Sequence, residues 1–502
     1  MSTITTKGQK AKAVNARDFD IRDMIGYALG DVGNNFTFNL VNSFLMIFYT
    51  NVFGLAAALV GALFMAARLV DAFVDIMVGR LIDNSKMTKR GRFTPWVMRM
   101  KFPLAASAIL LFLPAAGHLP MTTRVVYAFV TYLAWGIFYS FVNIPYGSMA
   151  SAISGKPRDK TSLSTARSIG SASGAAIVSY VVPLIMYGSN SHQINPHRFF
   201  TGAAIFAVLG LFCYIGLTML TVERIRIDKT ERVPLGKMFS EMAHNKALVM
   251  LVLIDIVVVI NQNLSGITLT YLFNDYFQNK TAMSIALVFN FTTVILVVPF
   301  AQTLVRNFGR KESAAVALFF GAAMYGLMLI IHTHSPWIFL VDLFFGSLGA
   351  GVFNLMVWAF ITDVIDAQEV MSGEREDGVI YGVNSFARKL AQAIAGGIGG
   401  AMLTMIGYQS SSQGGAVQSE SVVNHLYTLA TAIPTICCLG AALLMLGYPL
   451  TRDKVVANAD ELARRHAVQP EQNSSPITQA HHGHAHADHR PLDNLAGYPI
   501  EN

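Results

Sequence analysis

Charge is what this chain has least of. Aspartate, glutamate, lysine and arginine make up only 13% of its 502 residues, against roughly 25% in soluble globular domains. With 53% hydrophobic residues and a mean hydropathy of +0.46, that deficit excludes an ordinary soluble enzyme and points to an integral membrane protein. Cysteine is scarce too. Cys213, Cys437 and Cys438 lie inside apolar runs without metal-ligand spacing, so neither a disulfide framework nor a metal site is expected. No cleavable signal peptide is expected either, because MSTITTKGQKAKAVNARDFDIRD is polar and has no apolar core. The sequence shows no nucleophile-and-base pair and no metal motif, which argues against an enzyme, and no cofactor is expected. A net charge of +7 would suggest nucleic acid in a soluble chain. Here the basic residues sit in loops between apolar runs, so the charge is a topology signal and no nucleic-acid partner is expected.

What the chain has in abundance is apolar sequence in runs of about 20 residues, the length a helix needs to cross a bilayer. Twelve such spans are expected, beginning near residues 24, 57, 95, 122, 162, 199, 246, 281, 313, 337, 377 and 423. The expected fold class is all-α, a membrane protein of twelve transmembrane helices in two six-helix halves, 24–222 and 246–449. Residues 1–23 read as a cytoplasmic tail and 223–245 as a central cytoplasmic loop whose second part forms a short surface helix. Residues 450–502 read as a polar, disordered cytoplasmic tail. The loops after spans two, four and eight (SKMTKRGR, SGKPRDK, RNFGRK) are basic, whereas those after spans one, three, seven and nine hold almost no lysine or arginine. The positive-inside rule then puts both termini in the cytoplasm of a multi-pass cell-membrane protein. GRLIDNSKMTKRGR after span two and QTLVRNFGRKES after span eight form a weak internal echo, as expected of a transporter built from parallel repeats.

Ionisable groups inside a bilayer cost several kcal/mol unless they are paired or face a wet cavity, which makes them functional candidates. In AARLVDAFVDIMVGRLIDN, Arg68, Asp71 and Asp75 stand at i, i+3 and i+7, on one helix face and within reach of one another. Two carboxylates one turn apart offer four oxygens and up to two negative charges, enough to trap Na⁺ or hold a proton. Arg68 would balance part of that charge when the cation is absent. Further candidates are Asp31, Asn34 and Asn35 in span one, Tyr139, Ser140 and Asn143 in span four, Asp255 and Asn261 to Asn263 in span seven, Asp342 in span ten and Lys389 in span eleven. Asp255 and Asp342 read more simply as groups closing hydrogen bonds between helices. Lys389 lies about three turns into its span, and Arg388 points about 100° away from it, toward a neighbouring helix.

These segments resemble a known family. Gly79, Asp83, Arg90, Gly91 and Arg92 resemble the gating loop of the major facilitator superfamily. More specifically, GDVGNNFTFNLVNSFLMIFYTNVFGL, ARLVDAFVDIMVGRLIDNS with RGRFTPW, YSFVNIPYGSMASAIS and GEREDGVIYGVNSFARKLAQAIAGG look like the matching segments of the glycoside-pentoside-hexuronide:cation symporters. The resemblance spans about residues 24–449. It implies that Asp71 and Asp75, with Ser140 in place of a threonine hydroxyl, bind the cation. It also implies that Lys389 lies near the cation and sugar sites, and that Arg167 borders the sugar cavity beside Asp31, Asn35 and Asn143.

This chain departs from the family's melibiose carrier. That carrier's two sugar-binding aspartates fall at Asn35 and Asn143, and its stacking tryptophan falls at Gly147, so the look is that of the glucuronide branch. Two amides in place of carboxylates remove negative charge, keep hydrogen bonding to hydroxyls and leave Lys389, Arg388 and Arg167 to attract a substrate carboxylate. Neutral pentoses or disaccharides fit the amides equally well. An amide that precedes the second acid in the sodium-using carrier is Val74 here, which removes one neutral oxygen ligand and favours H⁺ over Na⁺. HHGHAHADH in the tail reads as a solvated stretch with adventitious metal affinity. The expected activity is therefore symport of a glycoside, pentoside or hexuronide with H⁺ or Na⁺. A related carrier for a lipid or other amphiphile, and a sugar sensor that moves nothing, are the alternatives.

Overall fold

A computed structural model describes residues 17–186, 193–225, 245–373 and 377–472. Among the described residues, twelve helices of 18 residues or more run between residues 21 and 446. They are α1 Ile21–Asn51, α2 Ala57–Asp83, α3 Thr94–Leu111, α4 Met121–Ile153, α5 Pro157–Met186, α6 Pro196–Leu220, α7 Lys246–Tyr271, α8 Lys280–Phe308, α9 Arg310–Ile331, α10 Pro336–Ser372, α11 Asp377–Met405 and α12 Glu420–Leu446. Each begins within about five residues of its expected start. Eight of them are long and apolar enough, by length and composition, to cross a membrane. Asp20, Asn195, Asn245, Asn279 and Ser419 supply side-chain oxygens to the first free amides of α1, α6, α7, α8 and α12, which fixes where those helices start.

The packing repeats. In the first half α1 packs on α5 and α6, α3 on α4 and α6, and α2 on α4; in the second half α7 packs on α11 and α12, α9 on α10 and α12, and α8 on α10. Across the halves α2 packs on α11 and α5 on α8, so the second helix of each half meets the fifth of the other. Hydrogen bonds join the halves from mid-height toward one end: Asn42 Nδ2 donates to Asn263 Oδ1 at 2.9 Å, and Thr50 Oγ1 meets the Tyr271 hydroxyl at 2.7 Å. At that end the Tyr408 hydroxyl lies 3.0 Å from Asp275 Oδ2 and 3.2 Å from Asn51 Oδ1. Here α2 and α11 approach so closely that a Cβ on Gly400 would come within 2.3 Å of the Ala57 carbonyl oxygen, an approach only glycine allows. The largest apolar core follows the same asymmetry. It carries Tyr49 and Phe53 together with Tyr271, Phe273 and Tyr427, whereas a second core, around Phe353 and Phe360, lies wholly in the second half.

One expectation is overturned. The chain beyond residue 450 is not all disordered, because Arg452–Gln472 forms a helix, α13, that packs on α10. Arg465 donates to the Val370 carbonyl at 3.1 Å and pairs with Glu461 at 2.9 Å, four residues away, while Leu462 is buried. Helix formers with an i,i+4 pair and one apolar anchor suffice once α10 offers a surface. Residues 1–16 of the N-terminal tail, the expected surface helix within 223–245 and the histidine-rich 481–489 lie outside the described residues.

Candidate functional site

The acids of α2 meet two other helices, α4 and α11. Asp71 is 6% exposed; its Oδ1 accepts from Ser140 Oγ of α4 at 3.1 Å, and its Oδ2 lies 3.9 Å from Arg68 Nη1. Gly136, one turn before Ser140, leaves room for that carboxylate, since a Cβ there would already stand 3.3 Å from Asp71 Oδ1. The Arg68 guanidinium lies over the rings of Phe38, Tyr132 and Trp135, at 5.4, 5.9 and 5.7 Å from their centroids. These cation–π contacts replace some of the water it has lost. Lys389 crosses from α11 to make a direct ion pair with Asp75 Oδ2. Two acids and two bases, one of them from the other half, thus share one enclosure of balanced formal charge.

That enclosure is not saturated. Among the described residues, Asp75 Oδ1, Arg68 Nη2 and Trp135 Nε1 are buried without a hydrogen-bond partner, which normally signals a missing water, ion or ligand. A cavity of about 20 Å³ adjoins Arg68 between the halves, where Asn42, Asn263 and Gln392 line it. It has room for about one water.

The substrate candidates form a second cluster in the first half. Arg167 Nε of α5 lies 3.6 Å from Asp31 Oδ2 of α1, and its guanidinium is 5.3 Å from the Tyr146 ring centroid. Asn34 is the hub: its Nδ2 faces Asp31 Oδ1 at 3.3 Å and Asn143 Oδ1 at 3.2 Å, and its Oδ1 accepts from the Tyr214 hydroxyl at 2.8 Å. Asn35 turns toward α5, donating to Ser171 Oγ at 3.1 Å and to the Asp31 carbonyl at 3.0 Å. Gly147 is exposed, and a Cβ there would stand 3.9 Å from Arg167 Nη1, so the absent tryptophan ring leaves space beside the arginine. Tyr139 packs beside the first cluster. It stacks on Phe38 at 5.4 Å and on Trp135 at 5.5 Å, the same rings that flank Arg68.

Arg388 is not free to meet a substrate carboxylate, as the sequence reading allowed. Its Nη1 donates to Asp255 Oδ1 of α7 at 2.7 Å, the neighbouring-helix role that its 100° offset from Lys389 implied. The acid–arginine pair Asp31–Arg167 joins α1 to α5, and Asp255–Arg388 joins α7 to α11, so the repeat extends to side chains. The gating-loop residues lie apart from both clusters. Gly79 is buried in the last turns of α2, and the Asp83 side chain lies outside the described residues. Gly91 takes a φ of +102°, with the Glu223 carboxylate where a Cβ would be. Glu223 accepts from the amides of Arg92 at 2.8 Å and Thr94 at 2.6 Å, tying this loop to the end of α6. The sequence reading missed that clamp, as it missed Asn34 as a hub and Tyr408 with Asp275 at the end where hydrogen bonds join the halves.

Residues 26–452 match the MFS/sugar transport protein family. The chain belongs to this family. Among relatives of this MFS sugar transport protein, an uncharacterized symporter of Bacillus subtilis (strain 168) is 32% identical over 85% of this chain and 92% of its own length. A glucuronide carrier protein homolog of Escherichia coli (strain K12) is 31% identical over 91% of this chain and 98% of its own. Among solved structures, a D-xylose-proton symporter matches the fold with a TM-score of 0.59 at 14% identity, over 86% of this chain and 98% of that one. The all-helical, repeated architecture is thus that of a multi-pass major facilitator transporter.

Proposed function

We propose that this transporter is a sugar:cation symporter that takes up a hexuronide or related glycoside with H⁺. The observation that carries the reading is the Lys389–Asp75 ion pair, which joins the two halves beside Asp71. With Arg68 and Lys389 balancing Asp71 and Asp75, an added cation makes the enclosure net positive unless Lys389 withdraws. Cation arrival therefore competes with a bond between the halves, which is the differential interaction that alternating access needs. H⁺ suits the site because Ser140 is the neutral oxygen hydrogen-bonded to Asp71 and Val74 offers none, whereas Na⁺ needs several oxygens at short range.

Arg167 supports an anionic sugar. It faces Asp31 at 3.6 Å, longer than a tight pair, so a substrate carboxylate can share its free donors while Asn34, Asn35 and Asn143 meet hydroxyls. The glucuronide carrier homolog among the relatives points the same way. With both termini in the cytoplasm of a cell membrane, the end where Thr50 meets Tyr271 and Tyr408 meets Asp275 is the external one.

The test is uptake of labelled glucuronides, xylosides and galactosides into proteoliposomes under an imposed proton or sodium gradient. Glucuronide accumulation is expected with the proton gradient and not with sodium alone. Preference for a neutral xyloside would move the substrate to that class. Binding without accumulation would make the protein a sensor.

A further inference from the structure

The basic loop after α2, read from the sequence as a topology signal and, by resemblance, as a gating loop, also forms a concave surface. Thr88, Lys89, Arg90, Pro95, Met98 and Arg99 line a shallow, open groove of about 500 Å³. Its floor, from Pro95 and Met98, is apolar, while Lys89, Arg90 and Arg99 are exposed at its rim. Among the described residues none of these three cations has a carboxylate partner. Arg90 Nη1 approaches only the Met98 thioether, at 3.1 Å. The nearby acid Glu223 is buried and occupied by the amides of Arg92, Phe93 and Thr94, so it leaves the rim's charge uncompensated.

The groove continues into an apolar stripe. Arg99, Phe102, Ala106 and Leu110 lie at i, i+3, i+7 and i+11 on α3, and all four are exposed, Phe102 at 56% and Leu110 at 44%. In a membrane protein an exposed face of this kind meets acyl chains. A cationic rim above an apolar floor and a lipid-facing stripe is complementary to an anionic amphiphile. The Thr88–Gly91 bridge and the Glu223 clamp hold the rim in place.

We propose that this groove binds an anionic phospholipid from the leaflet on the side where α1 begins, with its phosphate among Lys89, Arg90 and Arg99 and an acyl chain along Phe102 and Leu110.

The test uses the full-length protein, delipidated in detergent, and counts retained lipid by native mass spectrometry. Phosphatidylglycerol, phosphatidylcholine and inorganic phosphate are the probes. Wild type is expected to retain phosphatidylglycerol in preference to phosphatidylcholine, and to lose it in high salt. At about 1 kcal/mol per basic residue near an anionic lipid surface, Lys89→Gln/Arg99→Gln should weaken retention roughly 30-fold. The charge-conserving Lys89→Arg/Arg99→Lys should keep it, and millimolar inorganic phosphate should not displace it. Equal retention of the two lipids by wild type would overturn the proposal, and so would unchanged retention in the glutamine variant. Displacement by inorganic phosphate would make the groove a free-anion site and overturn it too. If the glutamine variant fails to fold, the lipid preference and salt dependence of wild type decide alone.

Discussion

Asp75→Asn is expected to abolish accumulation of sugar against its gradient while leaving exchange of sugar down its gradient. A hexuronide anion entering with one H⁺ moves no net charge, so the pH gradient is the driving force, worth about 1.4 kcal/mol and roughly tenfold accumulation per pH unit. An amide cannot carry the charge that the cation compensates, so the variant's internal-to-external ratio should fall to about 1. Asp71→Asn should do the same by a gentler route, because an amide oxygen still accepts from Ser140. Asp75→Asn also strips Lys389 of its partner across the two halves, so it should lower thermal stability more than Asp71→Asn does. Paired measurements of gradient-driven uptake and counterflow in proteoliposomes check this. Wild-type accumulation in either variant would remove that acid from the coupling site.

Lys389→Ala is expected to eliminate active transport without preventing membrane insertion. Without the ammonium, Asp75 keeps one buried oxygen that already lacks a partner and gains a second. Such a carboxylate holds its cation instead of releasing it. Net uptake then stops after the first half-cycle, whereas exchange, which never needs the empty carrier to reorient, continues. Lys389→Arg should restore little, because a planar fork cannot replace a compact ammonium between Asp75 and the cation position. Uptake by Lys389→Ala equal to wild type at matched expression would place coupling elsewhere.

Much of this was legible before the structure, for physical reasons that can be named. Twelve apolar runs start where twelve helices start because the bilayer imposes one length on every span. Arg68, Asp71 and Asp75 share a face because 3.6 residues per turn puts them there, and the same periodicity sent Arg388 to a neighbouring helix, which proved to be α7 at Asp255. Periodicity names a face but not what it meets. Asn34 as the hub that joins Asn143 to Tyr214, Glu223 under the RGRFT loop, and Tyr408 with Asp275 all depend on contacts between segments far apart in the chain. For α13, the overall polarity of the tail concealed a helix that one buried leucine and a surface on α10 stabilise.

The most direct test is to record proton movement when glucuronide is added to de-energised, sodium-free proteoliposomes. Wild type should take up protons with the sugar, so that the medium turns alkaline, and Asp75→Asn should produce no signal while still catalysing counterflow. Glucuronide entry without proton movement in wild type, or an undiminished proton signal in Asp75→Asn, would contradict the account.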